Sequence, residues 1–438
     1  MSFRQLSSDV KPVLLRDRLE QTPVARTEPV GGDHGRGLWI LIVLSALMAF
    51  GSISTDLYLP ALPALGRALN AAPGQMELTI SSYLIGFSLG QLLWGPIGDR
   101  HGRRLPIAIG LMLFVVGSAG CALSTTAWQM IGWRVVQAVG ACVGPVLARA
   151  IVRDLYARAR SAQMLSALMT VMAIAPLLGP IVGAQILALW SWQGIFWTIA
   201  GVGLLTLAAI ATLRETLPRS RRDRAPLYRA LSDYVALARD PRLLGYAISG
   251  GFFFGGIFAY IAGTPFAYIA YYHVPPQVYG ILFGAGIIGI MLANLLNARA
   301  VMRLGSDRLL LLGTAGAALA GVATALDAGF GWGGLVGLVA PLLLYLSMAG
   351  FIVANSVSGA LAAFPHRAGT VSALVGAMHY GTGVLTAAMV GWFADGTPWP
   401  MGWIIALGGV GSFATTMLLV RGPRRNAQDT PARIEPEP

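Results

Sequence analysis

Long apolar runs separated by short polar turns dominate this chain. Most runs hold about 20 residues, which at 1.5 Å per residue matches a hydrocarbon layer about 30 Å thick. Hydrophobic residues make up 55% of the 438 residues and charged residues 11%, so too little polar surface remains to cover a soluble core. The sequence therefore predicts an all-α integral membrane protein with twelve transmembrane helices. We place the spans at 38–60, 76–97, 105–126, 128–152, 162–188, 192–213, 243–271, 277–300, 308–327, 334–361, 369–393 and 399–420.

The net charge of +12 is distributed according to topology. Apart from Arg67 in the first outer loop and Arg134 inside the fourth span, we assign the basic residues to the tails and to the loops after even-numbered spans. The positive-inside rule then places both termini in the cytoplasm. A nucleic-acid-binding protein would concentrate its arginines on one folded face. The charge therefore points to a lipid bilayer and excludes nucleic acid as a partner.

The longest inner polar stretch divides the spans into six and six, as in transporters built from two parallel six-helix halves. A faint repeat agrees: Arg303 and Gly305 follow the eighth span as Arg100 and Gly102 follow the second. The resulting organisation is a disordered tail at 1–37, an N-terminal half at 38–213, a linker at 214–242, a C-terminal half at 243–420 and a disordered tail at 421–438.

Asp56 and Arg134 are charged residues placed at similar depth in the outer half of the bilayer. A carboxylate in a membrane span costs about 2.5–3.5 kcal/mol on insertion scales, so it usually faces a cavity or a partner. Pro60 lacks an N–H and predicts a helix break just after Asp56. We interpret the two residues as a pair that could bind and release a coupling proton. The alternatives are an aspartate that caps a broken helix end and a static ion pair.

A polar turn, Gly-Pro-Ile-Gly-Asp-Arg-His-Gly-Arg-Arg, joins the inner ends of the second and third spans. Its aspartate can accept hydrogen bonds from a nearby arginine, and a second aspartate lies at the inner end of the fourth span. We interpret these residues as a latch on the inner gate, although orientation by the positive-inside rule alone would also explain some arginines. The inner-gate residues are Gly95, Asp99, Arg100, Gly102, Arg103, Arg104 and Asp154.

Two further patterns lie inside spans. The fifth span carries Pro176, Gly179, Pro180 and Gly183, which remove helix hydrogen bonds and permit close helix packing. The seventh span is rich in aromatic residues, some of which must face lipid while others would line an apolar cavity. His379, in the eleventh span, is interpreted as a packing residue, with a proton relay as the alternative. The predicted cavity residues are Tyr58, Phe254, Phe258, Tyr260 and Phe266.

The inner turn resembles the hallmark loop of major facilitator superfamily transporters. Asp-Leu-Tyr-Leu-Pro-Ala-Leu-Pro at 56–63, Trp-Gln-Gly-Ile-Phe-Trp at 192–197 and Phe-Pro-His-Arg-Ala-Gly-Thr at 364–370 resemble the Bcr/CflA branch, the bicyclomycin-resistance-type drug exporters. The fifth-span motif resembles the superfamily's antiporter signature, although Ala175 and Ala184 stand where that signature has glycine. By position, Asp56 and Arg134 match the acidic residue of helix 1 and the arginine of helix 4 of the family.

This resemblance implies a major facilitator fold and a proton-driven antiporter of the bacterial inner membrane. Such a protein would export drugs or other small lipophilic molecules, work as a monomer and need no cofactor or metal beyond the proton gradient. The alternative is an exporter of a polar metabolite such as an amino acid or peptide. An enzyme is not expected, because the chain has neither a metal-binding pair nor a phosphate-binding loop.

The topology can be tested with a reporter that is active only in the periplasm. With both termini inside, a fusion after Arg421 is expected to be silent, because that site follows the twelfth span at its inner end. An insertion near Thr397, in the last outer loop, is expected to be active. Reporter activity at the C-terminal fusion would contradict the count of twelve spans.

Overall fold

The computed structural model describes residues 34–156, 158–222, 240–362, 364 and 368–420, and within these ranges all regular structure is helical. The predicted tails, apart from a few residues, and most of the predicted linker lie outside the described residues. By compactness, the chain divides into Met1–Ile40 and Leu41–Pro438. The described part of the first unit is the beginning of helix α1. All sites discussed below lie in the second unit.

Fifteen α-helices run through the described part of the chain: α1 (His34–Asp56), α2 (Leu62–Ala68), α3 (Gln75–His101), α4 (Arg104–Ala122), α5 (Ala127–Ala141), α6 (Val143–Leu155), α7 (Arg158–Leu189), α8 (Trp192–Thr212), α9 (Pro241–Thr264), α10 (Pro276–Leu304), α11 (Ser306–Phe330), α12 (Gly334–Ser347), α13 (Ala349–Ala362), α14 (Ala368–Trp392) and α15 (Trp399–Thr415). Short 3₁₀ turns lie at Leu59–Ala61 and Arg219–Arg221, and π-helical turns at Pro265–Tyr271 and Thr416–Val420.

Eleven helical segments in the described residues are long and apolar enough to cross a membrane. Three of them combine consecutive α-helices: α1 with α2, α5 with α6, and α12 with α13. The remaining predicted span corresponds to α3, which has 27 residues and is therefore about 40 Å long. It is less apolar because it carries polar residues, and Thr79, Ser81 and Ser82 are buried inside the protein. A helix whose polar residues face the protein interior can cross the bilayer despite its lower mean hydropathy.

The helices pack as a bundle with two main contacts between the predicted halves. Inside the N-terminal half, α5 packs against α3 and α4, and α4 packs against α8. Inside the C-terminal half, α9 packs against α14 and α15, and α11 packs against α15. Between the halves, α3 packs against α14 and α7 against α10. These two contacts flank the space in which the cavity described below lies.

The ends of the helices predicted to face outward are packed together. The turn Leu59–Ala61 and helix α2 contact Pro265–Tyr271 of the other half. Next to them, Gly74 and Gly391 bring the backbones of the two halves so close that a Cβ at Gly74 would overlap the carbonyl of Gly391. The bundle is therefore closed on its predicted outer side.

Helix α1 stops at Asp56, as Pro60 predicts, and α7 packs directly against this end. A Cβ added at Gly179 would lie 2.7 Å from the Cβ of Asp56, and one at Gly183 would overlap the carbonyl oxygen of Leu57. Helix α7 remains continuous through both prolines of the motif. Gly179 and Gly183 therefore set the position of the Asp56 backbone. A larger residue at either position would displace that backbone.

Replacing Gly179 with valine is expected to displace the end of α1 and to lower both folded yield and transport, because overpacking at such a contact costs about 1–3 kcal/mol. Gly201→Val is the matched control, since no atom lies within 4 Å of a Cβ at that position. Size-exclusion chromatography of fluorescently tagged protein in detergent measures the folded yield. Equal yield and transport for the two variants would contradict the role given to Gly179.

Candidate substrate and proton site

A cavity of about 260 Å³ lies between the predicted halves. Helices α1, α3, α6 and α7 contribute to it from one half, and α9, α10, α12 and α14 from the other. Its wall is largely apolar and contains the aromatic rings of Phe87, Phe254, Phe258, Phe283 and Tyr380. An apolar, aromatic cavity with a few polar groups is typical of a binding site for small molecules.

Three of the five predicted cavity residues line this space and two do not. Phe254, Phe258 and Tyr260 are in the wall. Tyr58 is instead fully buried behind the wall, where its hydroxyl lies 3.0 Å from Oγ1 of Thr79. Phe266 belongs to the π-helical turn that closes the outer end. These two lie outside the wall because the chain turns away from the cavity after Asp56 and before Phe266.

Among the described residues, Asp56 is the only carboxylate in the wall of this cavity. It is the last residue of α1, and only 5% of its surface is exposed. In the described part of the chain no basic side chain lies within 4 Å of its carboxylate, because both salt bridges found there belong to Arg103. The carboxylate thus combines a buried position with access to the cavity, which suits a group that exchanges a proton.

Arg134 does not pair with Asp56, contrary to the expected pairing. It is fully buried, and its guanidinium lies between the rings of Tyr58 and Tyr83, with its carbon 4.2 Å from each ring centroid. Its Nη1 donates hydrogen bonds to the carbonyl oxygen of Ser54 at 2.9 Å and to Oε1 of Gln137 at 2.6 Å. The guanidinium thus contacts two aromatic rings as well as two hydrogen-bond acceptors.

This setting offsets much of the cost of burying a cation. Desolvation of a charged group costs several kcal/mol, whereas a desolvated cation–π contact stabilises it by about 2 kcal/mol. Two rings and two hydrogen bonds therefore recover most of the penalty. Nε and Nη2 of Arg134 have no hydrogen-bond partner in the structure. They are donors without a partner in a side chain that contacts the last turn of α1 at the carbonyl oxygen of Ser54.

Arg149 lines the same cavity, and the sequence analysis did not single it out. We had assigned every basic residue except Arg67 and Arg134 to tails and loops, and that assignment is wrong for Arg149, which lies in the middle of α6. Because Arg149 and Arg153 are only four residues apart, the sequence suggests that both belong to one basic helix end. Pro145, Arg149 and Arg153 follow one another at four-residue intervals and share one face of the helix, so depth along the span, and not helix face, is the signal that could have separated them.

At the predicted inner end, Arg103 joins two acidic residues of the N-terminal half. Its Nη1 donates to Asp99 at 2.6 Å and its Nε to Asp154 at 2.8 Å. Partial burial acts to lower the pKa of Arg103, but these two carboxylates outweigh it and raise the pKa above the ordinary arginine value. The structure thus brings together three of the residues predicted for the inner gate.

Glu215, just after α8, completes this cluster and was not predicted. Its carboxylate accepts hydrogen bonds from the backbone N–H of Arg103 at 2.8 Å and of Arg104 at 3.1 Å. Partial burial acts to raise its pKa, but the backbone hydrogen bonds outweigh that effect and hold the pKa below the usual range for glutamate. Glu215 is therefore ionised at neutral pH and holds the turn between α3 and α4 onto the end of α8.

The other predicted inner-gate residues surround this cluster. Arg104 donates from Nη2 to the carbonyl oxygen of Ala211 at 2.7 Å, and Arg100 is exposed. Gly102 has a φ of +94°, and a Cβ there would lie 2.6 Å from Oε2 of Glu215, so glycine is required at this position. Gly95 is less constrained, since the atom nearest to its Cβ position is 4.0 Å away, on Val146.

His379 packs behind the cavity wall. Its ring stacks on Phe254 with centroids 4.4 Å apart, and it is only 5% exposed. Its Nε2 has no hydrogen-bond partner in the structure and lies against Gly250. This position fits the predicted packing role, because the imidazole supports an aromatic side chain and does not line the cavity.

A bundle of membrane-crossing helices around a cavity at the contact of two halves defines a multi-pass membrane transporter, and not an enzyme. Residues 38–387 match the Major Facilitator Superfamily. The chain belongs to this family.

Its relatives include bacterial drug-resistance proteins. The chain is 34% identical to the uncharacterized MFS-type transporter YdgK of Bacillus subtilis, with 86% of this chain and 93% of the relative covered. It is 30% identical to the bicyclomycin resistance protein homolog of Haemophilus influenzae (82% and 89% covered) and 32% identical to a chloramphenicol resistance protein of Pseudomonas aeruginosa (76% and 79% covered).

The fold is also that of solved transporters. The crystal structure of a D-xylose–proton symporter matches with a TM-score of 0.69 over 87% of this chain and 98% of that one, at 17% sequence identity. At this level of identity the similarity identifies the major facilitator fold and carries no information about the substrate.

Replacing Asp99 with asparagine is expected to impair transport while the amount of protein in the membrane stays near normal. The side chain of Asp99 is 52% exposed, and exposed ion pairs contribute only about 0–1 kcal/mol to stability, whereas the loss of charge weakens the hold on Arg103. Asp395→Asn, which removes an exposed aspartate from the last outer loop, is the control. Transport is measured in assays normalised to membrane protein level. Full transport by Asp99→Asn would show that the turn serves only to orient the protein in the membrane.

Proposed function

We propose that the protein is a proton-coupled antiporter that exports drugs and other small lipophilic molecules across the bacterial inner membrane by alternating access. In this proposal it works as a monomer and uses the proton gradient without a cofactor. The observation that carries the proposal is the buried carboxylate of Asp56 in the wall of an otherwise apolar, aromatic cavity. The resistance proteins among its relatives support export of drugs over uptake of nutrients.

In this proposal, protonation of Asp56 and substrate binding affect each other, because the carboxylate lines the cavity that a substrate would occupy. A protonated, neutral aspartate suits an empty apolar cavity, because an ionised carboxylate there lacks the hydration that it has in water. A substrate that enters from the cytoplasm occupies the same cavity and changes the contacts of Asp56. One site that holds either a proton or a substrate gives exchange of the two across the membrane.

The contacts at the two ends of the bundle support alternating access. In this structure the outer ends are packed together around Gly74 and Gly391. At the inner end, the described salt bridges join helices of one half only, from Arg103 to Asp99 and Asp154. The cluster therefore holds the N-terminal half rigid while the inner side separates, as expected for rocking of two bundles about a central site.

Export of a polar metabolite is the second candidate function, and Arg149 is the observation that favours it. A guanidinium in the cavity wall would bind a carboxylate more readily than it would contact a purely apolar drug. The two candidates share the cavity and the proton site and differ in the chemistry of the cargo.

Asp56→Asn is expected to bind a neutral drug such as chloramphenicol but to lose export that depends on the proton gradient, because the amide keeps the size and polarity of the side chain without titrating. Asp56→Glu is expected to retain part of the activity. Drug and proton exchange is measured in reconstituted liposomes with an internal pH dye.

The matched control for this experiment is Asp395→Asn, which removes an exposed aspartate from the last outer loop. It is expected to export like the wild type. If Asp56→Asn moves drug against its gradient as well as the wild type does, the proton site lies elsewhere and His379 becomes the next candidate.

A further inference from the structure

Arg149 is an exposed cation inside an apolar cavity. It projects from the middle of α6, and the same cavity contains Asp56 and several aromatic rings. Both salt bridges in the described ranges involve Arg103, so Arg149 has no carboxylate within ion-pair distance there. Within the described residues, no ion pair therefore neutralises its charge.

A cation in such a place is costly without a function. The wall around it is mostly apolar, and a guanidinium that faces it loses part of its hydration. An arginine that only marked the cytoplasmic side would be placed just as well one turn later, where Arg153 is exposed and outside the cavity wall. The position of Arg149 is thus explained by a ligand that supplies the missing negative charge.

The neighbouring side chains indicate what else this ligand contains. Tyr380 lies within ring-contact distance of Phe258, at 5.9 Å between centroids, and of Phe87, at 5.5 Å. These three rings come from both halves and all line the cavity. Aromatic groups of a ligand pack well against such rings, and the planar guanidinium next to them can hold a carboxylate by two parallel hydrogen bonds.

We propose that Arg149 is a specificity-determining residue that binds the anionic group of the substrate, and that the substrates are aromatic molecules that carry a carboxylate or a similar anionic group. The aromatic part packs against Phe87, Phe258 and Tyr380. This assignment rests on the proposed function only in taking the cavity as the substrate site. It makes the proposed function more specific. A substrate with an apolar body and an anionic end shares features with both the lipophilic drugs and the polar metabolites considered above.

The test compares two ligands that share one chemical scaffold, one with and one without the negative charge. Norfloxacin and its methyl ester share the aromatic rings and the amine and differ only in the carboxylate. Equilibrium dialysis with the purified full-length protein gives the affinity of each compound. The wild type is compared with Arg149→Gln, Arg149→Lys and the matched control Arg153→Gln, which removes the same charge from the same helix outside the cavity.

Arg149→Gln is expected to lower the ratio of acid affinity to ester affinity by about tenfold, the size of one lost charge-assisted contact. Arg149→Lys is expected to give an intermediate ratio, because an ammonium keeps the charge but not the two parallel hydrogen bonds. Arg153→Gln is expected to leave the ratio unchanged. Unchanged ester binding by Arg149→Gln shows that this variant is folded, and if it does not fold, the lysine variant decides.

A ratio that is the same in the wild type and in both Arg149 variants, or that falls equally in Arg153→Gln, would overturn the proposal. Transport is measured separately in liposomes with a proton gradient. If the binding ratio depends on Arg149 but no gradient-driven export of norfloxacin or chloramphenicol occurs, the proposed function fails while the assignment of Arg149 stands. If export occurs but the binding ratio does not depend on Arg149, the proposed function stands and the assignment of Arg149 fails.

Discussion

The position of the Arg134 guanidinium between Tyr58 and Tyr83 fixes the geometry on which the rest of the site depends. These contacts join α5 to the turn after α1 and to α3, and the hydrogen bond to the carbonyl of Ser54 holds the last turn of α1. Gln137 continues the network by donating to Ser118 at 2.9 Å. A cation buried in this way cannot be moved without exposing aromatic surface and breaking hydrogen bonds, so it gives the N-terminal half a rigid centre.

Asp56 is held at the edge of this rigid centre by a different kind of contact. The glycines of α7 let the backbone of one helix approach the end of another, as small residues do at membrane helix interfaces. Helix α7 in turn packs against α10 of the other half, where Gly280 and Gly284 face Ile181 and Leu177. The carboxylate therefore lies next to the helix pair along which the two halves touch, and a movement of either half would change its surroundings.

Much of the fold follows from the sequence, because hydropathy and glycine patterns act locally. The helix break at Asp56, the link between Arg103 and its two aspartates, and the close packing at Gly179 are all visible as spacing in the chain. The sequence does not show which face of a helix lines the cavity, because that depends on how the helix is rotated in the bundle. Tyr58 therefore lies outside the cavity wall of this structure, and Arg149 was missed. Glu215 was missed for a related reason: its partners are backbone N–H groups about 110 residues away in the chain, and no sequence pattern marks such acceptors.

The contact between Gly74 and Gly391 gives the outer closure an unusual property. Two backbones meet there, so this contact depends on shape and not on a charge pair that would weaken in salt. A side chain introduced at either position would act as a wedge between the outer ends. If the protein works by the proposed alternating access, such a wedge would shift the population toward the outward-open state without touching the cavity. The position thus offers a way to trap the conformation that the present structure does not display.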